Sequence, residues 1–169
     1  IAASPDGINI KRNNPRYGRL IEVKNPVSRK LTGIPKKEYW IQMQMQMFVT
    51  GIRDCDFLET VFKEYGSVAD FDLDGTFLKT GQGRPKGIIV CFFDGRKPVY
   101  KYSPWKISKE KYEIWYETLL SEENGLTWTQ NVYWYLETYS CITVPANDAW
   151  MEAALPHFKT LWKTVLKER

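Results

Sequence analysis

Two carboxylates and an amine near the start of the chain have the types and spacing of a hydrolytic site. Ser4-Pro5-Asp6-Gly7 places Asp6 in a tight turn, and Leu20-Ile21-Glu22-Val23-Lys24 places Glu22 two residues before Lys24. Residues 19–24 alternate, which predicts a short strand with Leu20, Glu22 and Lys24 on one face and Ile21 and Val23 turned to the core. Residues i and i+2 of a strand lie about 7 Å apart on the same side, so Glu22 and Lys24 project together into a polar cleft. A hairpin over residues 8–20, turning at Asn13-Asn14-Pro15-Arg16-Tyr17-Gly18, brings Asp6 to Glu22. Two carboxylates at one point can share a divalent cation, which polarises a phosphate and acidifies a bound water. Lys24 can then orient that water or stabilise the charge that develops. On its own, E-x-K also fits an exposed pair on a solvated sheet face.

Composition narrows the chemistry further. The 169 residues contain one histidine, His157, and three scattered cysteines, Cys55, Cys91 and Cys141, with no C-x-x-C pair. Zinc sites and a disulfide framework are therefore not indicated, and hard-metal chemistry on carboxylates suits Mg²⁺. The net charge of +4 permits nucleic acid as a partner without requiring it. Basic residues crowd the first forty positions, Arg16, Arg19, Arg29, Lys36 and Lys37 among them, which by charge alone fits a solvated face equally well. With 43% hydrophobic residues the chain can bury a core, and one domain is the default at this length. No apolar run is long enough for a membrane helix, and the first residues lack the pattern of a signal peptide.

The elements that must position these residues follow from period and punctuation. Asn25-Pro26 ends the first strand, and a polar loop containing Ser28 and Arg29 runs to Pro35. Residues 36–50 predict a helix with Trp40, Met43 and Met47 on its buried side and Gly51 as its stop. Gln44 lies four residues after Trp40 and three before Met47, on the face assigned to the core. A buried amide needs partners, and a backbone group, a metal-bound water or a phosphate near Glu22 would supply them. Gln42 and Gln46 share another face.

Further strands are expected at 55–63, with Phe57, Leu58, Val61 and Phe62 in the core, at 88–93, at 97–103 as an edge, and at 131–143. Helices are expected at 108–123, with Ile114, Trp115 and Leu119 on the apolar side, and at 147–168, where Pro156 introduces a kink or a new first turn. Residues 64–87 are turn-rich. Within them Asp70-Phe71-Asp72-Leu73-Asp74-Gly75 imitates the start of a calcium loop, but Gly81 stands where the bidentate Glu belongs, so an acidic turn is the better reading. Gly81 to Gly87 reads as a basic hairpin tip. Most of the many aromatic residues are expected in the core, with Tyr17 and Tyr39 near enough to the site to stack on bases.

The ordered set S-P-D-G, E-V-K-N-P, Y-W-I-Q-M-Q-M-Q-M-F-V-T-G and C-D-F, spanning residues 4–57, resembles the YqaJ-type viral recombinase family, the phage lambda exonuclease group of the PD-(D/E)XK nucleases. The C-terminal part more loosely resembles versions carried by large DNA viruses. The resemblance implies an α/β fold with a restriction-endonuclease-like core, a mixed β-sheet flanked by helices. It also implies a Mg²⁺-dependent exonuclease, Mn²⁺ substituting, that digests one strand of duplex DNA from the 5′ end in viral recombination, repair or replication. Asp6 then matches the first metal-binding aspartate, Glu22 the second carboxylate, Lys24 the catalytic lysine and Val23 a metal-ligating carbonyl. Gln42 and Gln44 match glutamines beside the site, Gln44 with a catalytic role, and Gln42, Ser28, Arg29 and Tyr39 are placed to contact DNA. The implied partners are double-stranded DNA ends, a single-strand annealing protein and further copies of the chain, in an intracellular setting at host cytoplasmic or nuclear sites of viral replication. A non-catalytic DNA-binding scaffold and an endonuclease of the same superfamily remain the alternatives. Family members carry a helix with an acidic residue before S-P-D-G, so residues 1–169 are expected to be a single nuclease domain lacking its N-terminal portion.

Overall fold

The computed structural model describes residues 1–122 and 125–168. Six strands, β1 (Gly7–Ile8), β2 (Leu20–Lys24), β3 (Asp54–Glu64), β4 (Lys86–Phe93), β5 (Pro98–Tyr102) and β6 (Thr127–Pro145), are hydrogen-bonded in the order β1-β2-β3-β6-β4-β5. The sheet is mixed. β2 and β3 run parallel, with Glu22 opposite Phe57 and Lys24 opposite Glu59, while β1 pairs antiparallel with β2 and β4 pairs antiparallel with β5 and β6. Four helices accompany it: α1 (Lys37–Thr50), α2 (Val68–Leu73), α3 (Lys109–Glu122) and α4 (Asp148–Lys167). The expected α/β class with a mixed sheet and flanking helices is therefore what the chain adopts. The chain divides into two compact units, residues 1–60 with 139–169 and residues 61–138.

The first unit is built by α1 on β2 and β3. Met43 and Met47, one helical turn apart, meet Leu20, Cys55 and Phe57, with Val144 closing the cluster. Gly51 ends α1 in the left-handed region at φ 72°, and its N–H bonds to the Met47 carbonyl at 3.0 Å. On the opposite face of β3, buried Asp56 collects Arg16 at 3.1 Å, Arg19 at 3.3 Å and the Thr143 hydroxyl at 2.8 Å. Two of the early arginines are thus tied to a buried acid. They do not form a purely solvated face.

The second unit has an aromatic core. Phe71, Ile88 and Tyr112 are buried, with Tyr65, Phe77, Trp115, Tyr116 and Tyr133 packed on them. Three expectations change here. Residues 68–73 form a helix, capped at its start by the Ser67 hydroxyl, and Phe71 of the pseudo-calcium loop is core. The stripe of α3 centres on Tyr112 and includes Trp115 and Tyr116, leaving Ile114 exposed; the expected last helical residue, Glu123, lies outside the described residues. Phe62 is half exposed and meets Trp134 edge-on at 5.4 Å. In the first unit, α4 continues as one helix through Pro156.

Gly75 follows α2 with φ +75°, and a Cβ there would overlap the backbone of Lys79 and Thr80. Gly75→Ala is therefore expected to destabilise the fold by about 1–3 kcal/mol, read as a lowered urea midpoint. Gly83→Ala makes the control, because its φ is also positive but nothing lies within 4 Å of its Cβ position.

Candidate active site

The site grows from the β1–β2 hairpin and the helix that covers it. Gly7 pairs with Ile21, which brings the preceding residue, Asp6, alongside β2. Its Oδ2 accepts the Val23 N–H at 2.7 Å, so the first acid is fastened to the strand that carries the other two groups. Glu22 is 0% exposed. Its Oε1 forms an ion pair with Lys24, and its Oε2 accepts from Gln46 Nε2 at 2.8 Å. The same Gln46 nitrogen donates to the Ser4 carbonyl at 2.9 Å. One amide on α1 thus ties the S-P-D-G turn to the E-x-K strand.

The strand alternation is correct but its polarity is reversed. The face with Leu20 and Glu22 is the more buried one, and Ile21 and Val23 are only half-buried. Glu22 does not point into an open cleft. It lies under α1, because α1 packs its methionines on that side of β2. Lys24 is the accessible member of the pair, with a side chain 25% exposed.

Gln44 is buried as expected, but it is not the glutamine that meets Glu22. Its Nε2 donates to the Pro145 carbonyl at 3.0 Å, and its Oε1 accepts the Asn147 N–H at 2.7 Å, so it fixes the start of α4. Gln46 takes the place beside Glu22. Gln42 is half-buried and Ser28 exposed, and neither bonds to the groups around Glu22. Tyr39 and Arg29 do join the site. The Tyr39 ring has the Lys24 ammonium at 5.1 Å, the Arg29 guanidinium at 5.8 Å and the Lys36 ammonium at 5.9 Å from its centre. Cations at these distances are drawn to the ring face. Arg29 also pairs with Glu59, a fully buried acid opposite Lys24 on β3. Glu59 escaped the sequence reading, though it shares strand parity with Cys55 and Phe57 and so belongs on the buried face.

The donor set suits a hard cation. Asp6 and Glu22 offer carboxylate oxygens, and β2 offers backbone carbonyls. Among the described residues no cluster of three or more His, Cys, Asp or Glu side chains could hold a metal, and Mg²⁺ is commonly held by one or two carboxylates with several waters. Gln46 Oε1 and Glu59 Oε2 are buried without a protein partner, which leaves acceptors for such waters. The buried Cys55 thiol sits beside this cluster. Burial, with the nearby Glu22, Asp56 and Asp6 charges, pushes it up to about 12, so it stays neutral and is a poor ligand.

The mixed α/β fold, with Asp6 bonded to β2 and Glu22 held by Lys24 and a helix amide, is consistent with a nuclease-like fold. Residues 1–53 match the family model of the YqaJ-like viral recombinase domain, which places β1, β2 and α1, and so Asp6, Glu22, Lys24 and Gln46, inside the matched segment. By that match this part of the chain is similar to viral recombinase domains. The chain is also 28% identical, over 204 aligned residues, to the uncharacterized protein R354 of Acanthamoeba polyphaga mimivirus, a relative from a large DNA virus. That alignment covers 98% of this chain and 37% of the mimivirus protein, so the chain spans little more than a third of its relative's length. No helix among the described residues is long and apolar enough to cross a membrane.

The burial pattern of the cysteines gives a direct check on the site's packing. Iodoacetamide at pH 8 is expected to label exposed Cys141 in the native protein, and to label Cys55 and Cys91 only after denaturation. Peptide mass mapping reads the result. Rapid native labelling of Cys55 would mean that α1 does not seal the Glu22 face.

Proposed function

We propose that this chain carries the catalytic core of a Mg²⁺-dependent 5′-to-3′ double-stranded DNA exonuclease. The supporting observation is the Glu22 carboxylate, fully buried between Lys24 and Gln46, with Asp6 bonded to the same strand one residue on. Asp6, Glu22 and the Val23 carbonyl would hold the metal, which when bound polarises the scissile phosphate and acidifies a water. Gln46 fixes the Glu22 carboxylate. Lys24, held by Glu22 and partly open to solvent, donates hydrogen bonds to the attacked phosphate or to the attacking water. Lys36, gathered with Lys24 on Tyr39 and only loosely paired with exposed Glu38, supplies positive charge for the DNA backbone. Double-stranded DNA ends are the proposed substrate, and a single-strand annealing protein the proposed user of the product strand.

The deciding experiment offers linear and closed circular duplex with Mg²⁺ or with chelator. Loss of the linear form alone, from 5′ ends and only with the metal, supports the exonuclease. Cutting of the circle would mean an endonuclease, and an intact linear form with DNA retained on the protein would mean a scaffold. Glu22→Gln and Lys24→Ala are each expected to lower cleavage by at least about 100-fold, and Lys24→Ala also to lower the thermal midpoint, because it leaves buried Glu22 without its ion-pair partner; cleavage is therefore assayed well below that midpoint. Gln46→Leu is expected to cost about tenfold, by loosening one oxygen of Glu22 while retaining the burial. Near-normal cleavage by Lys24→Ala would remove this assignment.

A further inference from the structure

The second unit contains a cavity of about 470 Å³, within the range of small-molecule sites. Its wall includes Trp134, whose ring rests on the bare backbone of Gly87: a Cβ on Gly87 would lie 2.9 Å from that ring. The two residues are partners in the β4–β6 ladder, so the indole is fixed by the strand register. The other wall is unlike it. Trp105 is 78% exposed and Tyr102 68% exposed, and neither makes a ring contact among the described residues. The residue after Trp105, Lys106, has φ +59°, a left-handed conformation disfavoured for a side chain of that size. Trp105 thus leaves most of its indole in solvent at the cavity wall, beside a left-handed residue.

The charge of the cavity is one-sided. Lys79 and Lys106 are exposed residues at its lining, neither in an ion pair among the described residues, and no acidic residue lines it; the lining itself is mostly apolar. Lys86 also borders the cavity, but its ammonium is turned to the Phe71 and Asp74 carbonyls. The matching ligand has flat apolar faces and negative charge. A protein partner fits less well, since lysine is depleted at the cores of protein interfaces. Duplex DNA fits less well too, because its base faces are already stacked.

We propose that this cavity binds a single strand of nucleic acid, with a base against Trp105 and flanking phosphates near Lys79 and Lys106. Base stacking on aromatic side chains with lysines along the backbone is a sequence-tolerant way to hold an unpaired strand. The inference does not depend on cleavage at Glu22 and is tested without divalent metal, so failure of either reading leaves the other standing.

The test is fluorescence anisotropy of a fluorescein-labelled twelve-residue oligodeoxythymidylate, titrated with the 169-residue protein in EDTA. Saturable binding is expected, weakened about five- to hundred-fold by Trp105→Ala and partly restored by Trp105→Tyr. Trp105 is exposed, so its removal should leave the thermal midpoint unchanged. The double change Lys79→Gln with Lys106→Gln is expected to flatten the salt dependence by a slope of about 1.4. An abasic strand with the same number of phosphates should bind more weakly than the thymidylate strand. Equal binding of the abasic strand, equal binding by Trp105→Ala, or binding of thymidine monophosphate as tight as that of the strand would each overturn the proposal.

Discussion

Burying the Glu22 carboxylate is the constraint around which the first unit is arranged. An isolated ion taken out of water costs several kcal/mol even after relaxation, so the surroundings must answer each oxygen. Lys24 answers one from two residues along the same strand, and Gln46 answers the other from α1. This demand fixes where α1 lies on β2 and β3. The helix must seat Met43 and Met47 on Leu20, Cys55 and Phe57 while delivering one amide to Glu22 and to the Ser4 carbonyl. The hairpin is locked by the same arrangement, because Ser4 and Asp6 are both tied, one to α1 and one to β2. The fold and the candidate chemistry therefore rest on the same few bonds.

The second unit meets burial differently. Its core is a mosaic of rings at varied angles, such as Tyr65 edge-on to Phe71 at 90° and Tyr112 nearly parallel to Tyr116. Varied ring geometry fills space without long aliphatic chains. Lys86 is buried inside it, its ammonium held by the Phe71 and Asp74 carbonyls where α2 ends and lying 4.2 Å from the Phe71 ring centre. The cation occupies the negative end of the short helix. Burial lowers its pKa, while Asp74 and Asp72 oppose that shift. A lysine read in sequence as part of a basic tip is here a structural group.

How much of this was legible depended on whether a feature is local. The E-x-K spacing, the Pro-Asp-Gly turn and the stop at Gly51 are local, and each lands where the sequence places it. The choice between Gln44 and Gln46 is not local. On a helix of 3.6 residues per turn, both lie roughly 80° from the Met43–Met47 midline, on opposite sides. Periodicity cannot tell which flank faces Glu22, because the direction in which α1 crosses the sheet decides that. The burial of Glu22 was misread for a similar reason: alternation assigns residues to two faces, but the packing of α1 decides which face is inside. Ile114 was misplaced because three residues define a helical stripe poorly, and Tyr112, with a hydroxyl, was the buried one. In α2, six residues rich in aspartate carry little helical periodicity, and the Ser67 cap was the one local signal.

Glu59 shows how a second buried acid constrains the first. It stands opposite Lys24 in the β2–β3 register, on the same face of the sheet, and is fully buried. Left alone, it would compete with Glu22 for the Lys24 ammonium. Arg29 prevents this by pairing with Glu59. A planar guanidinium suits that task, since it presents several donors in one fixed geometry and lies against the Tyr39 ring at the same time. Lysine at position 29 would keep the charge but lose that geometry. The residue that looks in sequence like a DNA contact in a polar loop thus has a prior duty to the sheet, and its pairing with Glu59 leaves Lys24 to Glu22.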